Sequence, residues 1–188
     1  RMDTILCMGA GISMAHGMDK AGEKRQVVGV VGDSTFFHSG ITGLINMRYN
    51  KCPGTVLILD NRITGMTGHQ DNPSTGRDAR GEDAPMVEIA GLVAACGAQS
   101  IREVDPFDLK ELEAIIAEEC EKDVLSVIIS KRPCALIVKQ PDRTFGITEE
   151  CKKCRTCMRI GCPAIERQGD EIVIVAERCV GCGLCVKV

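Results

Sequence analysis

Short apolar runs alternate with amphipathic segments along most of the chain. The apolar runs predict buried strands, and apolar residues at helical spacing predict helices. Strands without polar alternation that alternate with helices are typical of a parallel sheet covered on both faces. We therefore predict an α/β domain with strands at 4–8, 26–31, 55–59, 100–104, 125–129 and 135–138 and helices at 12–21, 39–49, 85–96 and 106–122.

Two segments interrupt this alternation. Residues 61–84 have no apolar period and are rich in Gly, Asn, Asp and Thr, which indicates a long functional or disordered loop. Residues 141–144 have the composition of a linker. Residues 151–188 hold seven Lys or Arg and four Asp or Glu and therefore have a net charge of +3. Because the whole chain has a net charge of −3, the first 150 residues have a net charge of −6. We expect one domain over 1–144 and a smaller one over 145–188.

Composition narrows the function classes. A net charge of −3 and 3% aromatic residues argue against nucleic-acid binding, and no apolar run approaches the roughly 18 residues of a membrane span. Seven of the 12 cysteines lie within 151–188. That clustering predicts thiolate–metal chemistry in a reducing cytoplasm rather than a secreted disulfide framework. The scattered cysteines are expected to be small buried hydrophobes: Cys7, Cys52, Cys96, Cys120 and Cys134.

Six of the seven clustered cysteines form two triplets with two residues between neighbours, and Cys162 lies between the triplets. This spacing lets one tight loop occupy three corners of an iron–sulfur cube, whereas a zinc knuckle needs only two ligands from each pair. Residues 147–188 resemble a bacterial two-cluster ferredoxin, a small α+β fold. The resemblance implies one 4Fe–4S cluster on Cys162, Cys179, Cys182 and Cys185 and a second on Cys151, Cys154 and Cys157, with a fourth ligand beyond Val188. We therefore expect the chain to be a fragment of a longer polypeptide.

Polar and glycine-rich segments follow the predicted strands at the sheet edge where ligands of such folds bind. Gly9-x-Gly11 with Asp33 after the next strand allows a nicotinamide-dinucleotide site. Alternatively, the Asp33 carboxylate and the Asn61 amide oxygen, on adjacent strands, suit Mg²⁺ bridging a diphosphate. Both hypotheses remain open on these residues alone.

Two longer stretches carry a family resemblance. Gly32-Asp-Ser-Thr-Phe-Phe-His-Ser-Gly40 and Leu59-Asp-Asn-Arg-Ile-Thr-Gly-Met-Thr-Gly-His-Gln70, followed by the cysteine triplets, resemble the large (alpha) subunits of indolepyruvate ferredoxin oxidoreductases. These belong to the 2-oxoacid:ferredoxin oxidoreductases. The resemblance implies a thiamine-diphosphate-binding fold, truncated at its N-terminus, with Mg²⁺ on Asp33, Asn61 and the backbone carbonyl of Ile63. It places the diphosphate near Gly9, Ala10, Gly11, Gly32 and Ser34.

The implied reaction is oxidative decarboxylation of an arylpyruvate such as indolepyruvate to aryl-acetyl-CoA, with electrons passing through the clusters to an external ferredoxin. A smaller beta subunit, coenzyme A and an anaerobic source are implied too, and the activating glutamate is expected outside this chain. A pyruvate or branched-chain homologue, or a non-catalytic electron-transfer module, are the alternatives.

Histidines and basic residues supply further candidates. His38 and His69 flank the predicted cofactor site and are weak catalytic candidates, whereas His16 lies in the first helix. Basic residues around the first triplet could steer an acidic ferredoxin: Lys152, Lys153, Arg155 and Arg159.

Overall fold

The computed structural model describes residues 4–138 and 144–188. They divide into two compact units, of which the first ends at Cys134 and the second begins at Ala135. This division lies earlier than the boundary expected after residue 144. Residues 141–143 of the expected linker lie outside the described residues. Each unit is described by itself.

The first unit contains a four-stranded parallel sheet in the order β1-β2-β4-β3. Its strands are β1 (Val28–Gly32), β2 (Gly54–Asp60), β3 (Ser100–Val104) and β4 (Leu125–Lys131). The helices are α1 (Ala10–Lys20), α2, α3 (Ile89–Ala95) and α4 (Leu109–Glu121). Helix α2 consists of Asp33–Thr35, a π-helical turn at Phe36–Gly40 and Ile41–Tyr49. The predicted parallel α/β fold is confirmed.

The hydrophobic core follows from the apolar strands. Val56, Ile58, Val127 and Ile129 are fully buried, because helices cover the two central strands β2 and β4. Gly32 pairs with Leu59 in the β1–β2 register, so the carboxyl ends of these strands lie side by side. The segments that follow them are thereby brought to one edge of the sheet.

Two predicted strands are wrong. Residues 4–8 pair with no strand of the described chain, and Ile5, Leu6 and Met8 are exposed. Residues 135–138 form a turn and a bend, with Leu136 72% exposed. Apolar residues form a strand only where a neighbouring strand satisfies their backbone groups, and neither segment has that neighbour.

Two predicted helices begin later than expected. Helix α3 begins at Ile89 because Glu88 is extended and the Val87 N–H donates to the Pro73 carbonyl at 2.8 Å. Residues 85–88 are therefore not helical, and they contact the loop after β2 through this hydrogen bond. Helix α4 begins at Leu109, where the Asp108 side chain accepts from the Glu111 N–H at 3.3 Å.

The second unit contains an antiparallel pair, β5 (Ile165–Gln168) and β6 (Glu171–Ile174). Ala164, Ile165 and Ile172 are its buried apolar residues. Short 3₁₀ turns interrupt the otherwise irregular cysteine-rich segments, at Thr156–Ile160, Ala176–Arg178 and Leu184–Val186. Its assignment as a ferredoxin-like domain stays a prediction. None of the helices in the described part of either unit is long and apolar enough to cross a membrane.

Candidate functional site

A cleft of about 760 Å³ runs along β1 and α1 and reaches the carboxyl ends of β1 and β2. It is lined by residues 4–8, α1, residues 25–28, the start of α2 and the loop after β2. Ala10, His38 and His69 do not line it. The predicted site residues that do are Gly9, Gly11, Gly32, Asp33, Ser34, Asn61 and Ile63.

Asp33 is the buried carboxylate of this cleft, with 4% of its surface exposed. Its Oδ1 accepts a hydrogen bond from the Ser34 N–H at 2.7 Å, and its Oδ2 accepts none from any described residue. Burial raises the pKa of this carboxyl, and the Asp60 charge adds to the rise against the hydrogen bond from Ser34. A buried carboxylate oxygen without a partner, facing a cleft, is suited to a cation.

The turn after β2 brings two further oxygens to the same edge. The Asn61 Oδ1 accepts from the Ile63 N–H at 3.1 Å, and the Ile63 carbonyl accepts from the Gly65 N–H at 3.0 Å. The Asn61 backbone carbonyl accepts from the Cys134 N–H at 2.9 Å, which ties the turn to the chain after β4. Each oxygen keeps a second lone pair, so the turn offers one amide and one carbonyl ligand.

Arg62 holds the loop after β2 in place, a role that the sequence did not reveal. Its Nε lies 3.2 Å from the Asp60 Oδ2, and its Nη1 donates to the Ser74 carbonyl at 3.0 Å. Its Nη2 lies 3.3 Å from Glu88. The only sequence signal was an arginine directly after the polar end of a strand. Arg62 forms an ion pair with Asp60, whereas no described Lys or Arg forms one with Asp33.

The glycines of the cleft differ in what they allow. Gly9 has φ +85°, and a Cβ there would lie 2.0 Å from the Ser39 Oγ. A Cβ on Gly11 would lie 3.0 Å from the Val30 carbonyl oxygen. These two glycines let α1 pack closely on α2 and β1. A Cβ on Gly32 would meet no described atom within 4 Å, so that position faces open space in the cleft.

The histidines lie apart from these oxygens. His38 is exposed in the π-helical turn of α2, and His69 is exposed with φ +63°. His16 is buried, and its Nδ1 lies 2.9 Å from the Asn46 Nδ2. A catalytic role for His38 or His69 stays a prediction.

In the second unit, burial raises the pKa of the Cys185 thiol, and three neighbouring thiols add to the rise: Cys162, Cys179 and Cys182. These four cysteines therefore share one neighbourhood. In the first triplet, the Thr156 hydroxyl lies 3.3 Å from the Cys154 Sγ and lowers its pKa. No group of three or more His, Cys, Asp or Glu among residues 4–138 and 144–188 is arranged to hold a metal ion.

The structure does not support a nicotinamide-dinucleotide-binding motif at Gly9 and Gly11. That fingerprint requires a strand immediately before the first glycine, and residues 4–8 form none. Asp33 is buried and belongs to the first turn of α2.

Comparison with known proteins gives the family. Residues 2–130 match the family described as "Thiamine pyrophosphate enzyme, C-terminal TPP binding domain". The chain is 34% identical over 171 residues to the indolepyruvate oxidoreductase subunit IorA of Archaeoglobus fulgidus, covering 87% of this chain and 27% of that protein. It is 36% identical over 186 residues to the Pyrococcus horikoshii subunit, covering 87% and 28%. The chain thus spans about a quarter of the length of these relatives.

A solved structure supports the same fold. A 2-oxoglutarate:ferredoxin oxidoreductase from Magnetococcus marinus superposes with a TM-score of 0.60 at 20% identity, covering 67% of this chain and 45% of that one. The resemblance to indolepyruvate oxidoreductase large subunits is confirmed by the curated relatives. The chain belongs to the thiamine pyrophosphate enzymes and carries their C-terminal domain.

Proposed function

We propose that the chain is part of a thiamine-diphosphate-dependent oxidoreductase that oxidatively decarboxylates arylpyruvates, such as indolepyruvate, to aryl-acetyl-CoA. The observation that carries this proposal is the buried Asp33 carboxylate, whose Oδ2 accepts no hydrogen bond from a described residue. It lies at the cleft of a domain that matches the thiamine pyrophosphate enzymes.

The cleft residues fit Mg²⁺ and a diphosphate. Asp33, Asn61 and the Ile63 carbonyl would hold the cation with hard oxygen ligands. Ser34, which lines the cleft, would lie beside the diphosphate, and Gly32 leaves room for it. Thiamine diphosphate, when bound, supplies the electron sink for decarboxylation. The protein's part is to bind and orient it.

The second unit would carry the electrons. Two cysteine triplets exceed what a zinc knuckle uses, and thiolates at this spacing are the usual ligands of 4Fe–4S clusters. The shared neighbourhood of the Cys185 thiol with Cys162, Cys179 and Cys182 supports the grouping of these four on one cluster. The second cluster would use Cys151, Cys154 and Cys157.

The substrate and partners follow from the relatives. Several are named indolepyruvate oxidoreductase subunits, which favours an arylpyruvate over pyruvate or a branched-chain 2-oxoacid. The word subunit in those names supports a smaller beta subunit as partner. External ferredoxin and coenzyme A complete the reaction, which would take place in the cytoplasm of an anaerobic organism.

The test uses the full-length protein with its partner subunit, purified without oxygen. We expect bound thiamine diphosphate with Mg²⁺, about eight irons with matching acid-labile sulfide, and bleaching of the cluster absorbance by indolepyruvate plus coenzyme A. Bound cofactor with bleaching by pyruvate alone would overturn the substrate assignment. Clusters without thiamine diphosphate, and no bleaching by any 2-oxoacid, would identify a non-catalytic electron-transfer module.

A further inference from the structure

Arg62 lies in the turn after β2, between Asn61 and Ile63, and its backbone is left-handed with φ +59°. A residue with a side chain rarely adopts this conformation, because its Cβ crowds the following carbonyl oxygen. The Arg62 N–H donates to the Asp60 Oδ1 at 3.1 Å, and the Ile63 N–H donates to the Asn61 Oδ1 at 3.1 Å. The turn is thus held in a disfavoured form, which persists only where surrounding contacts stabilise it.

The Arg62 guanidinium supplies such contacts. Its side chain is 19% exposed, and its Nε lies 3.2 Å from the Oδ2 of the buried Asp60. Its Nη1 donates to the Ser74 carbonyl at 3.0 Å, and its Nη2 donates to the Glu88 Oε2 at 3.3 Å. Ser74 and Glu88 lie 12 and 26 residues further along the chain. The side chain therefore ties the left-handed turn to two distant positions.

Those two positions are joined to each other. The Pro73 carbonyl accepts from the Val87 N–H at 2.8 Å, which connects the segment at Ser74 to the segment at Glu88. Ser74 is buried, whereas the Glu88 side chain is half exposed. Exposed ion pairs contribute little to stability, and a charged donor binds a buried oxygen more strongly. The contacts with Asp60 and Ser74 are therefore the ones through which the guanidinium holds the turn.

We propose that Arg62 is a positioning residue that couples residues 73–88 to the cofactor cleft. Asn61 and Ile63 line the cleft and Arg62 does not, so Arg62 acts by holding its two neighbours in the form that they present to a bound cofactor. The inference rests on the proposed function, because it takes the cleft to bind thiamine diphosphate with Mg²⁺. Coupling between two sites is reciprocal, so a cofactor that binds the turn in this form also stabilises residues 73–88.

The experiment compares variants of the full-length protein with its partner subunit. Arg62→Ala removes every contact of the guanidinium. Arg62→Lys keeps a charge beside Asp60 but lacks the planar fork that binds Asp60 and the Ser74 carbonyl through separate nitrogens. Arg102→Ala is the matched control, because the Arg102 guanidinium pairs with Glu118 at 3.3 Å and does not line the cleft.

Calorimetry measures the binding of thiamine diphosphate to the cofactor-free proteins at saturating Mg²⁺, and hydrogen exchange of the Val87 N–H is followed with and without the cofactor. We expect Arg62→Ala to weaken binding by about 10- to 100-fold, Arg62→Lys to weaken it less, and Arg102→Ala to leave it unchanged. In wild type the cofactor should slow exchange at Val87, and in both Arg62 variants this slowing should be reduced. A residue that only stabilised the fold would not change this response to the cofactor.

Wild-type affinity in Arg62→Ala, equal losses in Arg62→Ala and Arg102→Ala, or an unchanged response at Val87 in both Arg62 variants would overturn the positioning role alone. If Arg62→Ala does not fold without cofactor, Arg62→Lys decides: weaker binding with a reduced response at Val87 supports the role, and wild-type behaviour overturns it. A wild-type protein that binds no thiamine diphosphate with Mg²⁺ would overturn the proposed function and this inference with it.

Discussion

Two buried carboxylates lie at the same end of the sheet, and their surroundings differ. Asp60 is 2% exposed and has the Arg62 guanidinium 3.2 Å away. Asp33 is 4% exposed, near the Asp60 charge, and burial raises its pKa. Holding an unpaired charge in a buried position costs stability. Such a cost is typical of a ligand position rather than of a packing position.

Asp33→Asn tests that difference. We expect the cofactor-free variant to be more stable than wild type by about 0.5–2 kcal/mol, because a buried negative charge is removed while the side-chain shape is kept. Mg²⁺-dependent binding of thiamine diphosphate should fall by more than about 100-fold, since a ligand is lost outright. Thermal unfolding of the cofactor-free protein and calorimetry measure the two effects. A variant that is less stable without cofactor would show that Asp33 is structural.

Glu119 is a buried carboxylate of α4 with the opposite balance. It is fully buried, and its Oε1 lies 2.7 Å from the Lys122 Nζ. Burial raises the pKa of Glu119, but the hydrogen bond from Lys122 and the nearby Ser100 and Ser126 hydroxyls outweigh it and leave the pKa below its ordinary value. The folded protein therefore stabilises the charged form of Glu119. This residue lies far in sequence from the segments that form the cleft.

Glu119→Gln should destabilise the protein at neutral pH by about 1.5–3 kcal/mol, because charge-assisted hydrogen bonds are lost. A folded-state pKa below the unfolded one contributes stability above pH 4.5, and this contribution is lost as pH falls below that value. The stability difference between wild type and variant should therefore shrink below pH 4.5. Urea unfolding at pH 7 and at about pH 4 measures it. A difference that does not change with pH would contradict the assignment.

At the scale of elements, a helix or strand was predicted correctly where its local sequence pattern determines it, and wrongly where tertiary contacts decide. The strand at 100–104 was predicted at the bounds the structure shows for β3, because a short β-rich run between turn signals is a local pattern. The segment at 4–8 has the same kind of pattern, but it has no partner strand in the described chain. Pairing is a property of the tertiary structure, and apolarity alone does not reveal it.

The contact between α1 and α2 gives a prediction at the same scale. Gly9→Ala places a Cβ 2.0 Å from the Ser39 Oγ at φ +85°, so both steric overlap and backbone strain oppose it. We expect a loss of about 2–4 kcal/mol in the free energy of unfolding. Gly22→Ala is the matched control, because Gly22 has φ +81° and a Cβ there meets no described atom within 4 Å.

The control should lose only the strain, about 1 kcal/mol. Adding Ser39→Gly to Gly9→Ala should restore part of the loss, since it removes the atoms that the new Cβ meets. Equal losses at Gly9 and Gly22 would show that packing between the two helices does not require this glycine.

At the scale of the whole molecule, strand order made part of the cleft predictable. Asp33 and Asn61 were expected together because they follow adjacent parallel strands, the family resemblance added Ile63, and all three line the cleft. Arg62 was not found as a site residue from sequence. Its position depends on contacts within a loop that has no period, such as the one between Arg62 and Ser74. The assignment of the cysteine triplets to clusters stays a prediction that rests on their spacing.

The charge of the second unit gives the last prediction. Lys152 and Lys153 are exposed, and Lys153 lies 4.0 Å from the exposed Glu171, a pair that screening makes weak. If this surface attracts an acidic ferredoxin, reversing both charges should slow encounter at low ionic strength. We expect Lys152→Glu with Lys153→Glu to lower kcat/KM for ferredoxin by about 3- to 10-fold at low salt, and less above about 0.5 M salt, where the Debye length is short.

Lys24→Glu with Lys51→Glu provides the control, because it changes the net charge equally at two exposed lysines of the first unit. The measurement is ferredoxin reduction by the full-length enzyme with its partner subunit over a range of salt concentrations, with bleaching by indolepyruvate followed separately. Reversal at Lys152 and Lys153 should leave that internal bleaching unchanged, because only the encounter with ferredoxin is affected. Equal salt dependence in both double variants would mean that overall charge, rather than the surface beside the first triplet, governs the encounter.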